Sequence, residues 1–422
     1  MKKLDNDGLN MKQIDQKKNI LICGSGIAGP TLAFWLARQG HNVTVVERAS
    51  SLRLTGQTVD IRDEGRDVVE RMGLLKDISE LMTNEEGLRF VDSKNIIQAE
   101  YPSAGGKKSF VTDIEILRAD LSMLLLKSTQ DDVEYIFGDY VTSCHENEAE
   151  VIVNFKNHVQ RTFDLMVIAE GMRSSTRELV FGKVPVHHIG LYTAYFAMPY
   201  QSQDGTWVRW SNCTGGKSIL LRPDQGRSTR AYLYIRSSKR GIDLTGRSAV
   251  NSFIKSTFRN DGWEAPRILE ELDKTDDIFF EDLGQIRMDS WSRGRVVLLG
   301  DAAYCATPVS GMGTTLSVVG AYILAKSLLT CEDYHAAYKA YEQKMQPYAQ
   351  QAQSIKPWTI RLEQPSTKLG IALFYKWKRL EKTKLMQFLM SPFGPKREHD
   401  DFLGAPIVYD TEITRAPDKS IL

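Results

Sequence analysis

Cysteine is scarce and scattered in this 422-residue chain: Cys23, Cys144, Cys213, Cys305 and Cys331 are all there is. The number is odd and no two fall in C-x-x-C spacing, which argues against a metal site, a redox dithiol or a disulfide framework. The seven histidines include one adjacent pair, His187-His188; neighbours on a strand point to opposite faces, so the pair would not share a metal. An excess of one charge is also lacking. Lys+Arg is 54 against Asp+Glu 53, a formal net charge of +1, which singles out neither nucleic acid nor an acidic partner. No apolar run is read as long enough to span a bilayer, and the first 18 residues are polar, without the apolar region of a signal peptide. Internal repeats and long low-complexity segments are absent too. These absences predict a soluble, cytoplasmic protein with a disordered lead over residues 1–18, no metal, no nucleic acid and no membrane span.

What is present is ordinary in bulk and specific in one place. Hydrophobic residues are 42% and charged residues 25%, values of a globular chain with one large or two ordinary domains. The specific stretch begins at Asn19. An apolar run, 20–23, meets Gly24-x-Gly26-x-x-Gly29, and an apolar-periodic run follows directly through Leu36. The order is strand, tight turn, helix. Gly24 allows the turn, Gly26 admits a pyrophosphate close to the backbone, and Gly29 lets the helix pack on the strand. Ile27 and Ala28 then lie at the helix N-terminus, whose free N–H groups and positive dipole end suit phosphate. A second apolar run, 42–46, ends in Glu47, about 20 residues on, where an acid can accept hydrogen bonds from a ribose diol. A carboxylate there favours an unphosphorylated ribose, so FAD or NAD is the expected ligand of the turn.

Further along, residues 66–72 read as a helix ended by Gly73, and short strands are expected near 90–92 and 99–101. Residues 114–121 lead a helix through 126. Runs at 133–137, 151–155 and 165–169 read as strands, the last almost wholly apolar, as in a parallel sheet buried on both faces. The middle, 178–287, changes character. Short runs rich in aromatic and β-branched residues at 192–198, 206–210, 218–222 and 231–236, separated by Pro, Asp and Gly, read as an antiparallel sheet. Residues 295–301 return to the buried-strand pattern, followed by a Pro/Gly loop at 307–314 and a helix at 315–329. Helices are expected at 336–354 and 368–390, before a polar tail. The predicted class is α/β: a Rossmann-type domain from 19–177 and 288–355, an inserted antiparallel sheet domain at 178–287, and a C-terminal helical region at 356–422.

Three separated motifs coincide in order. They are Gly24-x-Gly26-x-x-Gly29 with Glu47, Glu170-Gly171-x-x-Ser174-x-x-Arg177, and Gly300-Asp301-Ala302-Ala303 followed by Pro308 and Gly311-Met312-Gly313. Together they resemble the single-component, class A FAD-dependent monooxygenases of the aromatic hydroxylase type. The stretches Gly56-Gln57-x-x-Asp60-Ile61-Arg62, Ile116-Leu117-Arg118-x-Asp120-Leu121 and Gly300-Asp301-Ala302-Ala303-Tyr304-Cys305 resemble those of the tetracycline-inactivating enzymes and related natural-product hydroxylases. The resemblance implies bound FAD, with Asp301 at ribityl or ribose hydroxyls and Gly311 and Gly313 facing the flavin ring beyond Pro308. It places Arg118 against FAD and Asp60 in a loop near the flavin. Arg48, beside Glu47, is a candidate for the pyrophosphate or the nicotinamide donor. Ser174 and Arg177 resemble residues serving the pyrophosphate region and the donor, a helix-cap role being the alternative for Arg177. Four positions depart from the family pattern: Glu170 for Asp, Tyr304 for His, Thr315 for Asn and Gly320 for Asp.

The activity so implied is reduction of FAD by NADPH or NADH, addition of O2 to give a C4a-hydroperoxide, and transfer of one oxygen atom to an aromatic or polycyclic small molecule of tetracycline-like, polyketide or phenolic type. No side chain is required as acid or base, so none is named catalytic. The substrate is expected between the FAD domain and the middle sheet, with Tyr195, Trp210, Arg222 and Tyr234 as candidate contacts, and the chain as a monomer or weak dimer. Three rivals remain. A flavin halogenase would need a W-x-W-x-I-P motif that Trp207-Val208-Arg209-Trp210 does not match. A reductase or dehydrogenase would consume no oxygen, and a non-catalytic FAD-binding protein would turn over no donor.

Overall fold

The computed structural model describes residues 17–52, 56–83, 85–103, 114–224, 228–239, 246–381 and 402–403. The N-terminal lead to residue 16, residues 54–55 of the loop before Gly56, and the helix and tail expected beyond Glu381 (402–403 aside) lie outside these residues. The organising element is a six-stranded sheet in the order Ser292–Arg293, Val296–Leu298, Leu165–Ile168, Asn19–Cys23, Asn42–Glu47, Glu134–Phe137. All its pairings are parallel except the two-residue edge strand Ser292–Arg293. Asn19–Cys23 lies inside, flanked in register by Leu165–Ile168 and Asn42–Glu47. Its residues Ile20 to Cys23 are fully buried, which is why the run has no polar alternation. The helices Ala28–Arg38 and Gly313–Thr330 pack together beside it, and Tyr334–Gln353 packs on Gly313–Thr330.

The helix Gly313–Thr330 corrects one expectation. It is 18 residues long with mean hydropathy 1.2, enough by length and composition to cross a bilayer, yet 67% of it is buried inside the protein. Its apolarity serves packing on both sides rather than lipid.

The second large sheet has seven strands, in the order Phe279–Gln285, His187–Pro199, Ser228–Arg236, Lys217–Asp224, Val208–Cys213, Gly87–Val91, Ile97–Pro102. It is antiparallel except where Val208–Cys213 runs parallel to Gly87–Val91. Two of its strands therefore come from the first quarter of the chain. Alternation decides its faces. Tyr192, Ala194, Phe196, Ile219, Leu221 and Leu233 form one core with Ile254, Phe258, Ile268 and Leu272 of the helices Arg247–Phe258 and Ala265–Lys274. Tyr195, Val208, Leu220 and Tyr232 form another on the opposite face. That second face turns toward the segment 56–58 of the first domain: Tyr232 Oη accepts the Thr58 N–H at 3.2 Å and Arg230 donates to the Gly56 carbonyl at 2.7 Å. Phe374 and Tyr375 of the helix Lys368–Glu381 cover the far end of the sheet, at Phe90 and Ala99.

Candidate active site

Between the two sheets lies a cleft of about 720 Å3. Its first wall is the glycine turn. Gly24 has φ +109°, and a Cβ there would stand 2.6 Å from the Ala169 carbonyl oxygen, so both the conformation and the neighbouring strand demand glycine. A Cβ on Gly29 would meet the Gly24 oxygen at 2.0 Å, which is the close contact between helix and strand. At Gly26 the nearest atom to a Cβ would be Arg118 Nη2, 3.6 Å away; this backbone is open to the cleft beside a guanidinium. The helix Ala28–Arg38 begins with no capping side chain and no acid in its first turn. The Ser25 hydroxyl is buried and unpartnered. Glu47 is held at the end of its strand by two amides, Ser25 N–H at 2.8 Å and Ala49 N–H at 2.9 Å, and borders the cleft.

The second wall is the segment from Gly300 to the helix Gly313–Thr330. Asp301 lies in the cleft; burial pushes its carboxyl above the usual carboxylate range and Arg118 pulls against this. Thr307 takes φ +71°, a strained conformation for a β-branched residue, and its hydroxyl is buried without a partner. Pro308, Gly311 and Gly313 line the cleft. Gly311 has φ +63°, and Gly313 has no neighbour within 4 Å of where a Cβ would be. The helix Gly313–Thr330, like the first, starts uncapped with no acid in its first turn. Two helix N-termini with orphan amides thus serve one cleft, with two orphan hydroxyls and one oriented carboxylate. That donor and acceptor set fits a dinucleotide such as FAD: amides and Ser25 for pyrophosphate, Glu47 for ribose hydroxyls.

The third wall is the seven-stranded sheet. Tyr195, Leu220, Tyr232, Tyr234, Phe279 and Glu281 line the cleft from it. Tyr195 stacks on Phe279 at 4.6 Å, and Tyr232 on Tyr234 at 6.4 Å. Arg222 also lines the cleft, but its guanidinium hydrogen-bonds the Glu115 carboxylate and lies 3.6 Å from Glu85. Burial pushes the Glu115 carboxyl up while Arg222 pulls it down, and two carboxylates keep the guanidinium charged. Asp60 lies in the cleft and pairs with Arg62 at 2.7 Å. Burial raises the Glu281 carboxyl to about 7, with Arg173 opposing and Asp301 adding to the rise.

Of the residues expected from sequence, Gly24, Gly26, Ile27, Ala28, Glu47, Asp60, Arg118, Asp301, Pro308, Gly311, Gly313, Tyr195, Arg222 and Tyr234 border this one cleft. Gly29, Arg48 and Trp210 do not. Arg48 hydrogen-bonds Ser175 and lies over the Tyr140 ring at 4.5 Å. Trp210 stacks on Tyr234 at 5.8 Å with Phe90 on its other side. Of the Glu170 motif, Glu170 and Gly171 border the cleft, whereas Ser174 and Arg177 do not. Glu170 accepts the Ser174 and Thr176 hydroxyls and the Thr176 N–H, Ser174 caps the helix Ser175–Phe181, and Arg177 is buried, donating to the carbonyls of Ala302 and Met172. Arg177 therefore ties this turn to the segment after Gly300. Tyr304 and Gly320 are two halves of one packing solution: Tyr304 is buried in the core, and a Cβ on Gly320 would stand 2.1 Å from its hydroxyl. Thr315 accepts the Arg62 N–H at 2.9 Å. Glu281, Glu115, Ser25 and Thr307 were not singled out by any motif. An acid in the strand Phe279–Gln285, next to two phenylalanines, was the available signal for Glu281.

Residues 17–355 match the family model described as FAD binding domain. The flavin-dependent monooxygenase eupH of Phoma sp is 35% identical over 387 residues, covering 83% of this chain and 89% of that protein. The crystal structure of the tetracycline destructase Tet(55) superposes with a TM-score of 0.76 at 28% identity, over 90% of this chain and 97% of that one. HpxO of Klebsiella pneumoniae, solved with FAD and uric acid, shares the fold at a TM-score of 0.70 and 19% identity, over 89% of this chain and 96% of that one.

Proposed function

Because the chain belongs to the FAD-binding-domain family and is a flavin-dependent monooxygenase, we propose that NADPH or NADH is its electron donor and that it inserts one atom of O2 into a small aromatic or polycyclic molecule. When bound, FAD supplies the two-electron chemistry that links a nicotinamide donor to oxygen. The chain's own residues bind, orient and exclude water. Glu47 would take the ribose hydroxyls, and the amides at the start of Ala28–Arg38 the pyrophosphate. Asp301 and the amides after Pro308 would hold the remainder of the cofactor, with the positive end of Gly313–Thr330 favouring negative charge on it. No side chain in the cleft is assigned as acid or base for oxygen transfer.

The observation that carries this reading is the aromatic wall of Tyr195, Phe279, Tyr232 and Tyr234 on the sheet side of the cleft that Gly311 and Gly313 also border. A flat wall of this kind suits a flat polycyclic acceptor, such as a tetracycline, another polyketide or a phenol. The setting we assign is cytoplasmic, with a monomer or weak dimer. The test is donor oxidation by the FAD-loaded protein with and without a tetracycline or a polycyclic phenol, alongside oxygen uptake. Acceptor-stimulated oxidation of the donor with matching oxygen consumption supports the proposal. Donor oxidation that continues unchanged without oxygen, passing electrons to another acceptor, would make the protein a reductase instead.

A further inference from the structure

Charge in the substrate half of the cleft is lopsided. Arg222 is held by Glu115 and Glu85, two carboxylates on one guanidinium. Arg118 stands against the glycine turn on the cofactor side, and Arg173 is exposed at the rim, where water and salt screen it. Glu281, on the strand Phe279–Gln285, borders the cleft, with Asp301 and Arg118 of the cofactor side among the charges acting on it. It sits on the aromatic face: its register partner is Thr193, two residues before Tyr195, and Phe279, two residues before it, stacks on Tyr195. Among the described residues Glu281 makes no hydrogen bond and no ion pair, while Thr193 beside it carries a buried hydroxyl without a partner. Glu281 is part-buried and its carboxylate has no donor from the protein among the described residues, so it is open to one from the cleft. Its complement is a donor brought by the ligand.

We propose that Glu281 is a specificity-determining residue that receives a protonated amine or a hydroxyl of the substrate, so that the cleft takes cationic or neutral polycycles and rejects aromatic carboxylates. The proposal rests on the monooxygenase reading only in placing the substrate against the aromatic wall. Arg173 also borders the cleft and is the strongest charge acting on Glu281, but it is exposed; a carboxylate ligand set against the aromatic wall would meet Glu281, whereas an ammonium there would form a charge-assisted hydrogen bond.

The test is binding to the FAD-loaded protein, read by quenching of flavin and tryptophan fluorescence. The probes are a 2-naphthol bearing an aminomethyl group and the matching 2-naphthol carboxylate. At pH 8 the amine binds more tightly by a factor on the order of 10 to 100, the worth of one charge-assisted hydrogen bond. Glu281→Gln brings the two probes to within a few fold. Lowering the pH of the unaltered protein from 8 to 6 narrows the gap in the same way, because Glu281 protonates near 7. The groups acting on it there are Arg173, Asp301, Arg118 and Asp282, the last paired with His188 at 2.9 Å. The proposal is overturned if the carboxylate binds as tightly as the amine to the unaltered protein at pH 8. It is also overturned if the preference survives unchanged in FAD-loaded Glu281→Gln. If that variant does not retain flavin, the pH arm on the unaltered protein decides. Donor oxidation is not measured here, so a protein that binds the amine but transfers no oxygen would refute the proposed function and leave this assignment standing.

Discussion

Replacing Gly320 by alanine tests the placement of the helix Gly313–Thr330 against the strand Val296–Leu298 and the segment after it. In an unobstructed helix interior this change stabilises by about 1 kcal/mol, because glycine loses more backbone entropy on folding. Here the new Cβ would stand 2.1 Å from the Tyr304 hydroxyl, 3.3 Å from its Cζ and 3.4 Å from Leu299. Tyr304 has little room to retreat. It is 2% exposed, lies 4.5 Å from the Trp291 ring and shares a 3.1 Å hydrogen bond with the Tyr341 hydroxyl. Overpacking of a rigid core costs roughly 1–3 kcal/mol, and displacing the hydroxyl adds about 1 kcal/mol for the lost hydrogen bond. Set against the helix gain, Gly320→Ala destabilises by about 1–3 kcal/mol. Tyr304→Phe removes the clashing oxygen, so in that background the same change is close to neutral, and the two substitutions couple by about 1–3 kcal/mol. Urea unfolding of the four FAD-saturated proteins, followed by far-ultraviolet circular dichroism, gives the cycle. A Gly320→Ala protein more stable than the parent, with no coupling to position 304, would refute the packing described.

Gly24→Ala should fail to accumulate as folded protein, since its Cβ falls 2.6 Å from a carbonyl oxygen at φ +109°; Gly26→Ala, with 3.6 Å of clearance to a flexible guanidinium, should fold but bind FAD at least tenfold more weakly by fluorescence titration. Glu47→Gln should keep only one of its two amide contacts, which fall on different carboxylate oxygens, and lose about 1.5–3 kcal/mol of FAD affinity, the worth of hydrogen bonds to a charged acceptor, measured the same way. Arg177→Lys should lower stability by about 1–3 kcal/mol, because one ammonium cannot reach both the Ala302 and Met172 carbonyls that the guanidinium joins. Glu281→Gln should raise stability of the ligand-free protein at pH 8 by ~1–3 kcal/mol and make no difference at pH 4.5. The sign follows from a folded value near 7 against 4.5 for the free side chain: the unfolded chain gives up its proton first, so the carboxylate costs stability as pH rises from 4.5 through 7. A constant offset at both pH values would contradict it.

The cofactor half of the site was legible because it is made of backbone. Gly24, Gly29 and Glu47 are fixed by a turn, a close approach and a strand end, and each leaves a mark at a set spacing. The paired strands Gly87–Val91 and Ile97–Pro102 show as strands in the sequence, but their partner Val208–Cys213 lies more than 100 residues on and runs parallel, a pairing no local pattern encodes. The substitutions of Tyr304 and Gly320 look like two departures when read singly and become one contact in space. Glu170 and Arg177 carry a motif associated with the cofactor, yet their side chains spend their polar atoms on neighbouring hydroxyls and on backbone. Glu281 left only a faint mark, an acid beside two phenylalanines, because the strand Phe279–Gln285 carries a second acid within its apolar pattern; its position on the aromatic face gives it meaning.

The most direct test of the account is an isotope experiment. The FAD-loaded protein is supplied with NADPH, a polycyclic phenol and 18O-labelled dioxygen, and the product is weighed. The account predicts a product that has gained one labelled oxygen atom, formed only when donor and acceptor are both present. A product without label, or donor oxidation that yields hydrogen peroxide alone with every acceptor tried, would contradict it.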